Sequence, residues 1–348
     1  MHYQNVKTEF LKEIADWEIA RREYQINQKC CYLHIISDVP GLLKDIDSSK
    51  LQEVQSELIT KLEPYQYYTM NNIGQWSIVA LPNKKWATKV FPNLDEDAAY
   101  DRLLSAILDT VMVNEKTDPI DEWDIHNNNI IKRRDLMNKY HFKSLHFKNS
   151  LNTDIVIDLN DNHIWAGGCE HNADGIVFNP NMPTQEIFTM PKRNFVNGIV
   201  YATKPLNYQG KLIEDFYLEF KDGKVINYEA KHGNDTLKNL LDTDEGSRFI
   251  GEVALIEHDS PISNTNILFY NTLFDENASC HVALGSCYPT NMTDGETMNK
   301  EELVKNNANV SKIHVDFMFG SKCMNITGMT QDNKSITLFE NGKFVLSK

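Results

Sequence analysis

A chain of 348 residues is too long for one small domain, and its 41% of apolar residues suffices to build two ordinary cores. A formal net charge of −14 and a sequence pI near 5.2 exclude a phosphate-tracking basic face, so nucleic acid is not an expected partner. There is no run of roughly eighteen apolar residues, and the charged, helical N-terminus is unlike a signal peptide; these features predict a cytosolic protein without membrane contact.

In chain order, residues 4–27 and 49–63 read as helices. Between them, Cys30 to Asp38 reads as a short buried strand. A second strand, 76–82, is halted by Pro82. A helix follows, for which Asn93 and Glu96 match a capping box and Tyr100, Leu103, Leu104, Ile107, Leu108 and Val111 supply the apolar face. Another covers 119–139 with Trp123 and Ile130 on its apolar side. Beyond it the chain turns to short alternating strands, beginning at 153–159 and including hairpins at Asp222-Gly223 and Asn341-Gly342. The expected fold class is therefore α/β plus α+β: an open α/β domain over 1–140, then a β-rich α+β domain over 141–348. The six cysteines are too sparse for a disulfide scaffold and form no CxxC pair, so most are expected to be small buried hydrophobes.

Several acids and histidines of the second half stand in unusual settings. Glu186 is bracketed by Pro183 and Pro191, which restrain its backbone. Glu252 follows Gly251 and precedes three apolar residues, so it falls where a buried strand begins. There it needs a partner, either Arg248 or a cation. Glu276 and His281 flank Asn277-Ala278-Ser279-Cys280. His314 and Asp316 alternate with Val315 and Phe317, which puts imidazole and carboxylate on one strand face. Taken singly, a His-x-Asp pair is more often a solvated strand face. Together, three restrained carboxylates and two imidazoles match the needs of two divalent ions about 3.5–4 Å apart with one carboxylate bridging; such mixed ligation suits Zn, Co, Mn or Mg. The competing chemistry is Cys280 as a nucleophile with His314 or His281 as base. Adjacent Cys280 and His281 point apart on a strand, which disfavours His281 in that role. Cys169-Glu170-His171 offers only two strong ligands in a turn-rich setting and reads as a loop.

The segments NMPTQEIFTMP, GEVALIEHDSPIS, FYNTLFDENASCHVALGSCYP and HVDFMFG, in this order, resemble the signatures of the thermophilic-type metallo-aminopeptidases, most closely the aminopeptidase S and PepS branch. The likeness covers nearly the whole chain. It implies a broad-specificity exopeptidase that cleaves peptides with a free N-terminus, uses two divalent metal ions per subunit, and assembles as a homodimer. Matched by motif, it implies Glu186, Glu252, His281, His314 and Asp316 as ligands, with Glu252 bridging and Gln185 where many members have an acid. Glu276 and Tyr288 also match active-site positions. Glu276 is either the general base or a further ligand, and Tyr288 would stabilise an oxyanion, complete a metal shell, or pack beside Pro289. Compared with the family, the first domain is expected to lack several dozen N-terminal residues, so a metal-binding but inactive protein with a scaffold role is the alternative.

Overall fold

The computed structural model describes residues 2–346. Its first part is mainly helical, and its one sheet is the parallel pair Tyr32–Ile36 and Trp76–Ala80. The strand expected to be buried at 30–38 is only half covered. Tyr32 and His34 lean on Tyr65, whereas Leu33 and Ile35 are 64% and 56% exposed. A two-stranded sheet with helices on one side leaves every second residue in water. The helix expected over 4–27 is broken into His2–Asn5, Thr8–Leu11 and Asp16–Asn27. The last of these buries no residue, so packing gives a continuous helix no support.

The helix Glu96–Thr110 is capped by Asp95, whose carboxylate accepts from the N–H groups of Asp97 and Ala98, rather than by the Asn93/Glu96 box. It buries Ala99, Leu103, Ala106 and Ile107. With Trp86 and Ala87 these residues form a core that also takes in Phe269, Leu273, Phe274 and Ala278, and Trp86 Nε1–H donates to Phe269 O at 2.6 Å. The helical part thus braces the segment that carries Glu276. The helix Pro119–Tyr140 starts at Asp118, with Pro119 at its first position, and buries Trp123, Ile130 and Met137.

The remainder is built on a nine-stranded antiparallel sheet and a four-stranded one, so the fold is mixed α/β. In the large sheet the strands run in the order Lys224–His232, Lys211–Lys221, Pro191–Tyr201, Asp154–Leu159, Ser144–Lys148, Asn325–Met329, Ser335–Glu340, Lys343–Phe344, and the ninth, Leu206–Tyr208, pairs with the start of Lys211–Lys221. Both expected hairpin turns form, Asp222-Gly223 and Asn341-Gly342 having positive φ at each residue. The four-stranded sheet has the order His314–Met318, His281–Gly285, Ile250–Leu255, Ile187–Thr189. Its Val253, Leu255, Val282, Leu284 and Phe317 share one core with Ile157, Val196, Phe216 and Leu218 of the large sheet, and the rings of Phe216 and Phe317 lie 5.4 Å apart. Each such side chain contributes about 1.5–3 kcal/mol by burial. That face is fully occupied by packing, which leaves the other free for chemistry.

Candidate metal centre

Strand register builds the site. Glu252, Ala283 and Asp316 stand in one cross-strand row, and Phe188, Ala254, His281 and Met318 in the next. Rows two residues apart share a face, so the acids and imidazoles gather on the side of the small sheet turned away from the core. Glu186, two residues before Phe188, joins them, and His314 stands opposite Gly285. The middle strand contributes only Ala283 and Gly285 beside the charged groups, which opens the space between Glu252, His314 and Asp316. Gly285 is required as such: at φ +105° a Cβ would lie 2.1 Å from Ile313 O.

All five predicted ligands converge. His281 Nε2 lies 3.0 Å from Glu186 Oε2, 3.6 Å from Glu252 Oε1 and 3.9 Å from Asp316 Oδ1. His314 Nε2 lies 3.6 Å from Glu252 Oε2 and 3.5 Å from Asp316 Oδ1. Two ligand sets result, Glu186–Glu252–His281 and Glu252–His314–Asp316, and Glu252 belongs to both, one oxygen toward each histidine. Arg248, its alternative partner, is instead paired with Asp242 at 2.6 Å.

The donor set fits divalent cations on three grounds. His281 Nδ1 faces the carbonyls of Glu276 and Ser279 at 3.1 and 3.3 Å, and His314 Nδ1 faces Ser286 O at 2.7 Å. A proton held at Nδ1 leaves each Nε2 lone pair pointing into the site. Glu186 Oε2 and Asp316 Oδ1 are buried and accept no hydrogen bond. Finally, Glu186, Glu252, Glu276 and Asp316 crowd two imidazoles, and among the described residues no lysine or arginine forms an ion pair with any of the four acids.

The titration directions express the same imbalance. Burial pushes Glu252 up to about 7. Glu276 is held well above the usual carboxylate range by burial and by the charges of Asp316 and Glu186. Burial acts to lower both histidines, but the carboxylates outweigh it: His281 is raised well above its ordinary value and His314 to about 9. For Asp316 burial acts upward, and His314 and His281 outweigh it, holding the carboxyl low.

Glu276 belongs to neither ligand set. It lies on the turn Glu276–Ala278, whose approach is folded by Asp275 accepting from the N–H groups of Phe269 and Asn271, both at 3.0 Å. Asn277 ties the turn together: its Nδ2–H donates to Leu273 O at 3.0 Å and toward Glu276 Oε1 at 3.4 Å, and its Oδ1 accepts from Gln185 N–H at 2.7 Å. Tyr288 follows the His281 strand, its ring 4.7 Å from that of His314 and 5.9 Å from that of Phe188. Burial, then the charge of Glu252, hold its phenol well above its usual value, so it is a neutral hydrogen-bond donor. Met70, Asn72 and Trp76 from the helical part line the same cleft.

Cys280 lies on the opposite face. Its thiol bonds to Ile256 in the core, and burial pushes it up to about 11, which removes the thiolate a nucleophile needs. Of the six cysteines only Cys280 and Cys287 are buried, fewer than expected, and all six are free.

The chain matches the thermophilic metalloprotease family (M29) over residues 1–344. It belongs to that family. Aminopeptidase AmpS of Bacillus subtilis (strain 168) is 42% identical over 344 residues, spanning 99% of this chain and 83% of its own. Aminopeptidase T of Thermus aquaticus is 35% identical over 90% of this chain and 76% of its own. The solved structure of wild-type AmpT from Thermus thermophilus superposes with a TM-score of 0.90 at 33% identity, covering 99% of this chain and 84% of that one. Membership makes the chain a metal-dependent hydrolase of peptide bonds and gives the two ligand sets their chemical context. Asn277, Ala283 and Gly285, which shape the site without belonging to either ligand set, drew no notice in sequence, although all three lie inside the motif FYNTLFDENASCHVALGSCYP.

Proposed function

We propose that the chain is an aminopeptidase that holds two divalent cations, one on Glu186, Glu252 and His281 and the other on Glu252, His314 and Asp316, with Glu252 shared. The observation that carries this reading is the placement of the two Glu252 oxygens toward two different histidines in a buried cleft. Bound there, Zn, Co, Mn or Mg supplies Lewis acidity toward a peptide carbonyl and acidifies water. The chain's own residues do the rest. Glu276, oriented by Asn277 and outside both ligand sets, takes the proton of the attacking water and returns it to the departing amine. Tyr288 donates to the oxygen that gains charge as the carbonyl becomes tetrahedral. His281, 1% exposed, is shut off from bulk water.

Substrates are peptides with a free N-terminus, accepted with broad side-chain tolerance, and the assembly is a homodimer. Residues 1–140 form the α/β unit that braces the Glu276 turn, and 141–348 form the catalytic unit. Six free cysteines suit the reducing cytoplasm, and no described helix is long and apolar enough to cross a membrane. The inactive scaffold alternative draws no support from a ligand set that converges completely.

The test compares leucine 4-nitroanilide with its N-acetyl form, with and without chelator. The expected result is hydrolysis of the free-amine substrate alone, abolished by chelation and untouched by thiol reagents. Cleavage of the acetylated substrate, or activity that survives metal removal, contradicts the reading.

A further inference from the structure

The cleft carries an acidic group that no ligand set uses. Glu170 opens the strand Glu170–His171, which pairs antiparallel with Val177–Phe178; the segment that read as a loop is a small hairpin. This hairpin is pinned at three points. Phe178 packs on Trp76 with ring centroids 6.3 Å apart, Ala173 N–H donates to Asn72 O at 2.9 Å, and Asp174 pairs with Lys29 at 2.7 Å. Glu170 is thereby held on a fixed wall of the cleft that Glu186, Glu252 and Tyr288 also line.

Glycine brings that wall close to the metal ligands. Ala166 exchanges backbone hydrogen bonds with Phe188 at 2.9 and 3.1 Å. Gly167, at φ +135°, lies against the Glu186 backbone so tightly that a Cβ would come within 2.5 Å of Glu186 O. Glu170 thus stands three residues along the chain from the glycine that abuts Glu186, and both acids line the cleft. It is also short of positive charge. Among the described residues no cationic side chain lies within ion-pair distance of it, and Arg134, whose charge it feels, is bonded to Asp135 at 2.9 and 3.0 Å. Burial pushes its carboxyl up to about 7, against the opposing pull of Arg134 and Gly167. A carboxylate that is desolvated, open to a cleft and without a cation gains most from a cation arriving through that cleft.

We propose that Glu170 is the receptor for a primary ammonium group of the substrate and so a specificity-determining residue of the cleft. The assignment rests on the aminopeptidase reading, since a free N-terminus brings an α-ammonium into the cleft; a lysine side chain carries the same chemistry.

The experiment uses the metal-loaded full chain and Glu170→Gln. KM and kcat are measured on leucine and lysine 4-nitroanilides, bound metal and thermal midpoint are recorded, and calorimetry compares leucinamide with its α-hydroxy counterpart. The expected result is KM raised about ten-fold or more at similar kcat, with leucinamide affinity weakened in proportion and the hydroxy ligand unaffected. Metal content and midpoint stay unchanged, and Glu170→Asp recovers part of the loss. A loss equal for both anilides identifies the α-ammonium, and a loss confined to lysine identifies the side chain. Unchanged KM and unchanged leucinamide affinity overturn the proposal, as does a fall in bound metal, which would make Glu170 a ligand. Wild-type protein that binds leucinamide through Glu170 but cleaves neither anilide would refute the aminopeptidase reading and leave this assignment standing.

Discussion

At the scale of single residues, the proposed mechanism assigns metal binding and proton transfer to different groups, and each assignment can be tested by one substitution. Glu252 is the shared member of both ligand sets, so Glu252→Ala is expected to abolish turnover and reduce bound metal in both sets. Retention of two ions by this variant, measured by plasma mass spectrometry, would refute the sharing. Glu276 lies outside both sets beside Asn277, so Glu276→Gln should keep the metal and lower kcat about a hundred- to ten-thousand-fold, the range of a lost general base. Loss of metal instead would make Glu276 a ligand, the alternative that sequence left open. The proposed ligands could be singled out in the sequence where the restraints are local: prolines around Glu186, glycine before Glu252, period-two alternation at His314 and Asp316. Glu170 could not be, because its place on the cleft wall comes from contacts of its hairpin with Trp76, Asn72 and Lys29, far away in sequence.

At the scale of elements, the small sheet works by having unlike faces. The apolar face locks register against the large sheet, since a slip of one residue would turn Glu252 and Asp316 into the core. Small residues on the other face keep the site open. Ala283→Val places two methyl groups between Glu252 and Asp316; it should weaken metal binding and activity by ten-fold or more while thermal stability changes by about 1 kcal/mol, and equal metal affinity in a titration would show that the space is not needed. The helix Pro119–Tyr140 and both hairpin turns were legible because caps, proline and Asp-Gly or Asn-Gly pairs act within a few residues. The exposure of Leu33 and Ile35, the breaks within 4–27 and the shift of the cap from the Asn93/Glu96 pair to Asp95 were not, since each is decided by what packs alongside.

At the scale of the whole molecule, one buried histidine makes stability depend on pH away from the metal centre. His163 is 3% exposed, stacked on His141 at 4.3 Å and bonded through Nδ1 to Asn160 O. Burial, partly offset by that hydrogen bond, brings it down to about 4 from an ordinary 6.5. The folded state thus favours the neutral ring. The associated stability is fully present above pH about 6.5 and is lost as pH falls toward 4, reaching on the order of 3 kcal/mol. Urea titrations of wild type and His163→Phe between pH 7 and pH 4 should show a shallower decline in the variant; parallel declines would remove His163 as the cause. The helical part and the β-rich part meet through the core around Trp86 and Phe274, so the Glu276 turn draws its rigidity from residues nearly two hundred positions away in sequence. Composition and alternation revealed the two textures of the chain, but no local pattern could reveal that the first steadies a turn in the second.

The central claim, two cations sharing Glu252, is tested most directly by counting metal in protein purified without chelator and dialysed against metal-free buffer. The expected result is two divalent ions per chain, falling to fewer than one in Glu252→Ala while the circular dichroism of the fold is preserved. One ion or none in the wild-type protein, or two in the variant, would contradict it.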